Sequence, residues 1–250
     1  MSHIARLYVD HPLQPGRSIE LAEAQSKYLT RVMRLQAGAM VRVFNGVDGE
    51  WQCALSITGK TVSLLPQTCL RDQTKSPDLT LMFAPIKKAR TDFIVEKATE
   101  LGVRTIQPVF TEFTQSSRVR IDRFQSLAIE ASEQTERMDL PNIQDAKTLS
   151  NAIAQWDPSL PLIYCDEGAD ACPIADHADQ LKTGAGGLLI GPEGGFSPRE
   201  RTFLRSQPFI RPITLGPRLL RAETATVAAL TLWQSLVGDW HNAPYLPETK

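Results

Sequence analysis

The stretch Gly187-Leu188-Leu189-Ile190, Gly191-Pro192-Glu193-Gly194-Gly195-Phe196, Ser197-Pro198-Arg199-Glu200 carries three local signals in succession. A short apolar run reads as a buried strand. The glycines around Glu193 read as a tight turn in which backbone can approach a ligand closely. Ser197 with Glu200 three residues on, and Pro198 between them, reads as a capping box with proline at the first helical position. Strand, glycine turn and helix start are the grammar of an α/β sheet, in which ligands bind beyond the carboxyl ends of the strands. The turn has neither the Lys-Ser/Thr ending of a Walker loop nor the spacing GxGxxG, so neither familiar phosphate cradle is present.

Outward from this stretch the rhythm repeats. LTLMFA (79–84), VRTIQPVF (103–110), LPLIYC (160–165) and PITL (212–215) read as further strands. Helices are expected from about Arg90 to Leu101, closed by Gly102, and around 121–138. This alternation predicts a mostly parallel sheet covered by helices on both faces, from residue 73 to 250. Residues 1–72 read differently. ARLYV (5–9), MVRVFN (40–45), WQCALSI (51–57) and TVSLL (61–65) read as strands, with turns at Asn45-Gly46, Asp48-Gly49 and Thr58-Gly59-Lys60. One helix, Ala22 to Leu35, interrupts them. Short strands with one helix predict a small β-barrel, and the polar segment LRDQTKSPD (70–78) is the expected linker.

Composition limits the function. The chain has 250 residues, 42% of them hydrophobic and 22% charged, with a formal net charge of −1. Residues 1–72 carry a net +2 and residues 73–250 a net −3, so a nucleic-acid surface has to be a local patch. No apolar run has membrane-span length, and the start MSHIARLYVD has no signal-peptide core, so no membrane association is expected. The four cysteines form no CxxC pair, which predicts reduced thiols, no metal site and a cytoplasmic protein.

A second loop, Leu215-Gly216-Pro217-Arg218-Leu219-Leu220-Arg221-Ala222-Glu223-Thr224, again joins a strand to a helix. It sets two arginines, a carboxylate and a hydroxyl at the expected mouth of the sheet. A solvated turn, with Glu223 and Thr224 capping the helix, is the simplest explanation of this loop alone. With the first loop it becomes specific. LLIGPEGGFSPRE, TLGPRLLRAETATVAAL, DFIVEKATELGV (92–103), AIEASEQTERMDLP (128–141) and YLTRVMRLQAGAMVRVFNG (28–46) together resemble the RsmE family. Its members are bacterial methyltransferases of the SPOUT class that act on N3 of a uridine in 16S ribosomal RNA. One departure is Lys88-Ala89, where relatives often carry a glycine-acid pair.

The resemblance implies a PUA-like RNA-binding β-barrel over 1–72 and a SPOUT-type α/β domain with a C-terminal trefoil knot over 73–250. The knot rests on the resemblance alone, because general chain topology disfavours one. The implied cofactor is S-adenosylmethionine (SAM), held by loops that include Cys165, Gly191, Glu193, Gly195, Leu215, Gly216, Arg218 and Leu220. Tyr164, Asp166 and Glu167 share the first of these loops with Cys165. Arg218 or Arg221 would stabilise charge on the uracil oxygens, and Glu193 or Glu223 would accept the N3 proton. The alternative is that each glutamate pins its loop by pairing with an arginine. Deprotonated N3 is itself a nucleophile, so no covalent cysteine is required.

Lys27, Arg31 and Arg34, spaced to share one side of the first helix, and Lys87, Lys88 and Arg90 are the expected RNA contacts. Arg118, Arg120 and Arg123 form a further basic group. Val227, Leu230, Trp233, Val237 and Trp240, broadened by Ala229, Leu232 and Leu236, make a wide apolar stripe that suits a homodimer through the C-terminal domain. The implied partner is 16S rRNA or the assembled small ribosomal subunit. Competing functions are a SPOUT enzyme with another target, a base atom or a ribose 2′-hydroxyl, and a non-catalytic RNA-binding assembly factor.

Overall fold

The computed structural model describes residues 4–116, 118–166, 171–181, 184–243 and 245. Two compact units are present. The first comprises residues 1–75, 132–140 and 245–250; the second comprises 76–131 and 141–244.

The first unit contains β1 (Arg6–Tyr8), β2 (Ile19–Glu20), α1 (Glu23–Lys27), β3 (Met40–Phe44), β4 (Glu50–Thr58) and β5 (Thr61–Arg71). They form a five-stranded sheet in the order β1-β3-β4-β5-β2. β3, β4 and β5 form a meander, whereas β1 lies parallel to β3. Gly49 shows why the Asp48-Gly49 turn needs glycine. Its φ is +83°, and a Cβ there would lie 2.5 Å from the Arg71 carbonyl oxygen. The linker segment begins later than its composition suggests, because Leu70 and Arg71 are still part of β5.

The expected helix from Ala22 to Leu35 is only partly α-helical. α1 stops at Lys27, and Tyr28–Val32 continue as a π-helical turn that buries Leu29. Arg34 lies beyond it with φ +54°. The i, i+4, i+7 alignment of Lys27, Arg31 and Arg34 therefore fails, since a π turn breaks the 3.6-residue period and a left-handed residue ends it.

Residues 132–140 join this unit through a buried charge cluster. Glu50 is fully buried and accepts hydrogen bonds from Arg6 Nε (2.5 Å), Arg42 Nη2 (2.7 Å) and Arg71 Nε (3.0 Å). Arg42 and Arg71 also pair with Glu136, and Arg6 Nη2 donates to the Arg137 carbonyl (2.8 Å). Burial opposes ionisation of Glu50, but the hydrogen bonds from Arg42 and Arg6 and the neighbouring guanidinium charges outweigh it. The carboxyl pKa is held below its ordinary value.

The second unit contains β6 (Leu79–Phe83), α2 (Lys88–Glu100), β7 (Thr105–Phe110), α3 (Ile121–Gln134, whose last three residues count with the first unit), β8 (Asn142–Ile143), β9 (Lys147–Thr148), α4 (Leu149–Ala154), β10 (Leu162–Cys165), β11 (Cys172–Pro173), β12 (Gly186–Ile190), α5 (Pro198–Arg205), β13 (Ile210–Thr214) and α6 (Ala222–Leu236). Its sheet runs β11-β13-β10-β12-β6-β7-β8, with β9 paired to β7, and each of these pairings is parallel. Alternate residues of β6 and β12 feed two cores. Leu81, Phe83, Leu188 and Ile190 pack with Ile94 and Trp233, while Met82 and Leu189 pack with Tyr164, Phe196 and Leu204. Burial on both faces explains why these strands are continuously apolar.

The apolar stripe near the C-terminus divides. Ala229, Leu230 and Trp233 are fully buried, whereas Leu232, Leu236 and Trp240 are exposed. Trp240 follows the end of α6 and does not lie on the helix. Among the described residues, no helix is long and apolar enough to cross a membrane.

Replacing Glu50 with Ala would leave the buried Arg6 and Arg42 and the half-buried Arg71 without their shared carboxylate, which should cost about 3–5 kcal/mol of stability. Because the folded pKa is depressed, the Glu50 contribution is complete above the unfolded value of about 4.3 and fades as pH falls below it. Urea unfolding across that range should show the gap between wild type and Glu50→Ala narrowing in acid. A gap independent of pH would contradict this origin.

Candidate active site

Three neighbouring parallel strands end at one edge of the sheet. Tyr164 of β10 lies opposite Leu189 of β12, and Cys165 lies opposite Ile213 of β13. The loops that follow these strands meet in a cleft of about 560 Å³, within the ~300–1,000 Å³ range of small-molecule sites. Cys165, the last residue of β10, and Asp166, the first residue after it, form one side. Gly191, Glu193, Gly195 and Phe196 come from the second loop, and Leu215, Gly216, Arg218 and Leu220 from the third. All eight residues expected to hold a cofactor thus line one cavity. Glu167 lies outside the described residues.

Local chemistry shapes each loop. Gly195 has φ +68° and closes the turn through its N–H to the Pro192 carbonyl (2.9 Å). The capping box starts α5 as the sequence predicts. The Glu200 N–H donates to Ser197 Oγ (3.1 Å), and the Ser197 N–H donates to Glu200 Oε2 (2.9 Å). Gly216 has φ +99°, and among the described residues no heavy atom lies within 4 Å of a Cβ placed there.

Asp166 lines the cleft with a buried side chain. Its Oδ2 accepts from the Tyr164 hydroxyl (2.7 Å) and from Arg205 Nη2 (2.7 Å), and Arg201 Nε lies 3.5 Å from Oδ1. Burial raises its pKa, but the Tyr164 and Arg205 hydrogen bonds and both arginine charges reverse the effect and keep it ionised. Burial and the Asp166 contact push the Tyr164 hydroxyl up to about 12. Burial likewise pushes the Cys165 thiol up to about 12, so it is neutral near pH 7 and no thiolate nucleophile faces the cleft from this position.

The glutamates do pair with an arginine, but it is neither Arg218 nor Arg221. Arg90, in the first turn of α2, bonds Glu193 through Nη1 and places Nε 3.4 Å from Glu223 Oε1. Glu223 Oε2 is buried with no hydrogen-bond partner among the described residues. Arg218 lies on the cleft wall; Arg221 does not, and instead serves as the exposed N-cap residue of α6. Lys87 and Lys88 are exposed at the start of α2 and do not line the cofactor-type cleft. In the first unit Arg31 and Arg34 are exposed, and Lys27 pairs with Glu23 at 2.5 Å.

Sequence reasoning missed the Asp166–Arg201–Arg205 network and the bridging position of Arg90. The second carried a signal: Lys87, Lys88 and Arg90 crowd a helix N-terminus, where the helix dipole disfavours cations unless anions face them. Among the described residues, no group of His, Cys, Asp and Glu could hold a metal ion.

The RNA methyltransferase domain family matches residues 74–234, and the RNA methyltransferase PUA domain family matches residues 21–66. Ribosomal RNA small subunit methyltransferase E of Rickettsia conorii is 33% identical over 230 residues, covering 90% of this chain and 93% of that protein. Its counterpart from Synechocystis is 30% identical, covering 88% and 74%. The crystal structure of the Neisseria gonorrhoeae ribosomal RNA small subunit methyltransferase E bound to S-adenosyl methionine superposes with a TM-score of 0.86 at 27% identity, covering 95% of this chain and 100% of that one. With a SPOUT-like α/β domain preceded by a PUA-like domain, and with relatives aligned along nearly its whole length, the chain belongs to the ribosomal RNA small subunit methyltransferase E family.

Proposed function

We propose that this chain methylates N3 of a uridine in 16S rRNA of the small ribosomal subunit, with SAM as methyl donor. The observation that carries this reading is the convergence of the three strand-end loops on one cleft. The donor set fits SAM. Ile190, Phe196, Leu220 and Ala225 offer apolar surface for a purine, and the backbone at Gly191, Gly195 and Gly216 lets polar main-chain groups approach the rest of the molecule closely. When bound, SAM supplies an electrophilic methyl group on a sulfonium. In this reading the loops lie in the family's trefoil knot, residues 1–72 serve as the RNA-binding domain, and residues 73–250 carry out transfer.

The residues of the chain then have separate tasks. Glu193 stands in the cleft wall and accepts the N3 proton, directly or through water. Arg90 holds that carboxylate in place and links it to Glu223, which acts as a structural anchor. Arg218 lies where it can offset negative charge on the uracil oxygens, and Arg221 contributes from the mouth of the same loop. Positioning supplies much of the acceleration, because the deprotonated nitrogen needs only alignment with the methyl group. Neutral Cys165 supports attack by nitrogen over a covalent route to a pyrimidine carbon.

RNA phosphates are held by Lys27, Arg31 and Arg34 of the first domain and by Lys87 and Lys88 of the second. Arg90, expected among these contacts, is better accounted for by its two carboxylates. The exposed Leu232, Leu236 and Trp240 support a homodimer through the C-terminal domain. In this reading the protein acts in the cytoplasm, where its ribosomal substrate lies.

Incubation with labelled SAM and unmodified small ribosomal subunits, followed by mass-spectrometric mapping, should give a single N3-methyluridine. A ribose 2′-O-methyl or another modified base atom would replace the target, and binding without transfer would favour an assembly factor. Glu193→Gln should lower kcat by about 10²–10⁴-fold with little change in SAM affinity. Unchanged kcat would remove Glu193 as proton acceptor. Cys165→Ser should retain transfer within a few-fold, whereas its loss together with a methylated pyrimidine carbon would point to covalent catalysis.

A further inference from the structure

A second cavity of about 290 Å³ lies in the same domain as the proposed cofactor cleft, and Pro192 and Glu193 belong to the walls of both. Its other boundaries include Lys87, Lys88, Phe113 and Ser116. Phe113 is 47% exposed, so about half of its surface is open to a ligand. The loop that carries it is nevertheless firmly held. The Glu112 N–H donates to Glu200 Oε1 (2.9 Å), the same carboxylate that caps α5. The Thr111 N–H donates to Thr114 Oγ1 (2.9 Å), and the two threonine hydroxyls lie 2.8 Å apart. On the glycine turn, a Cβ at Gly194 would lie 3.5 Å from Phe113 Cβ, so the aromatic loop and the turn are in close contact.

A rigid exposed aromatic ring beside two lysines is the chemistry with which proteins hold an unstacked nucleobase and its phosphate. A methyl acceptor also has to meet the donor's methyl group in line and in direct contact, so its base has to lie in a space that adjoins the cofactor cleft, and Pro192 and Glu193 line both cavities. We infer that this second cavity seats the base of the target nucleotide, with Phe113 as its stacking platform and Lys87 and Lys88 beside its phosphate. The inference rests on the methyltransferase reading above and adds to it the place where the acceptor base lies. A third cavity shares Lys88 and Ser116 with the second and adds Arg118. Arg118 thereby adds a cation near the proposed phosphate position, while Arg120 and Arg123 of the same cavity are paired with Asp122 and Asp92.

The test compares wild type, Phe113→Ala and Phe113→Tyr. Kinetics use labelled SAM and unmodified small ribosomal subunits, and binding is followed without SAM by photo-crosslinking to 16S rRNA substituted with 5-iodouridine. Phe113→Ala should lower kcat/KM by about 5- to 150-fold, the range a single base–aromatic stack carries, and Phe113→Tyr should restore it. SAM affinity by calorimetry should be unchanged in both, and the wild-type crosslink should map to the peptide containing Phe113. Wild-type kinetics in Phe113→Ala, or a crosslink that maps elsewhere, would overturn the assignment. If wild type transfers no methyl group, the methyltransferase reading fails on its own, and the crosslink site still decides whether a base stacks on Phe113.

Discussion

The active cleft depends on one geometric constraint: β12, β10 and β13 are parallel neighbours that end at the same level. Parallel pairing sends the three following loops out of the same edge, whatever their separation in the chain. Sequence then tunes each loop. Glycines let backbone turn sharply at Gly195 and Gly216, and the capping box fixes where α5 begins. Arg90 supplies what the strands alone cannot, a side-chain tie between the second loop and the start of α6 through Glu193 and Glu223. Its partial exposure places this tie between a solvated surface pair and a buried one in strength.

Buried charge recurs as a structural device in both units. In the first, Glu50 gathers Arg6, Arg42 and Arg71, and the same arginines bind residues 132–140 to the sheet. In the second, Asp166 gathers Tyr164, Arg201 and Arg205 beneath the cleft. Such clusters are weak sources of net stability, because desolvation cancels much of the attraction. They are specific, however, since each carboxylate accepts only partners in a fixed geometry.

What was legible in the sequence was local. The strand, turn and cap of residues 187–200 are encoded within a few positions, and the structure reproduces them. The parallel sheet followed from apolar runs at strand length separated by helical stretches. Helix α1 was misread because Leu29, Val32, Met33 and Leu35 give a helical apolar pattern that does not distinguish an α turn from a π turn. The pairing of Arg90 with Glu193 was out of reach for a different reason. The two residues lie far apart in the chain, and only the sheet order brings α2 beside the loop after β12. Phe113 was hidden in the same way, in a loop with no motif, until the fold set it against Gly194.

The most direct test of this account is amide hydrogen exchange in wild type and Arg90→Met, resolved over residues 191–196 and 216–223. If Arg90 ties the two loops together, both segments should exchange faster in the variant. A tie worth about 1 kcal/mol corresponds to roughly fivefold. The central strands β10 and β12 should keep their wild-type protection. Unchanged exchange in both loops, or acceleration in one alone, would contradict a shared tie and leave the cleft to be held by its backbone only.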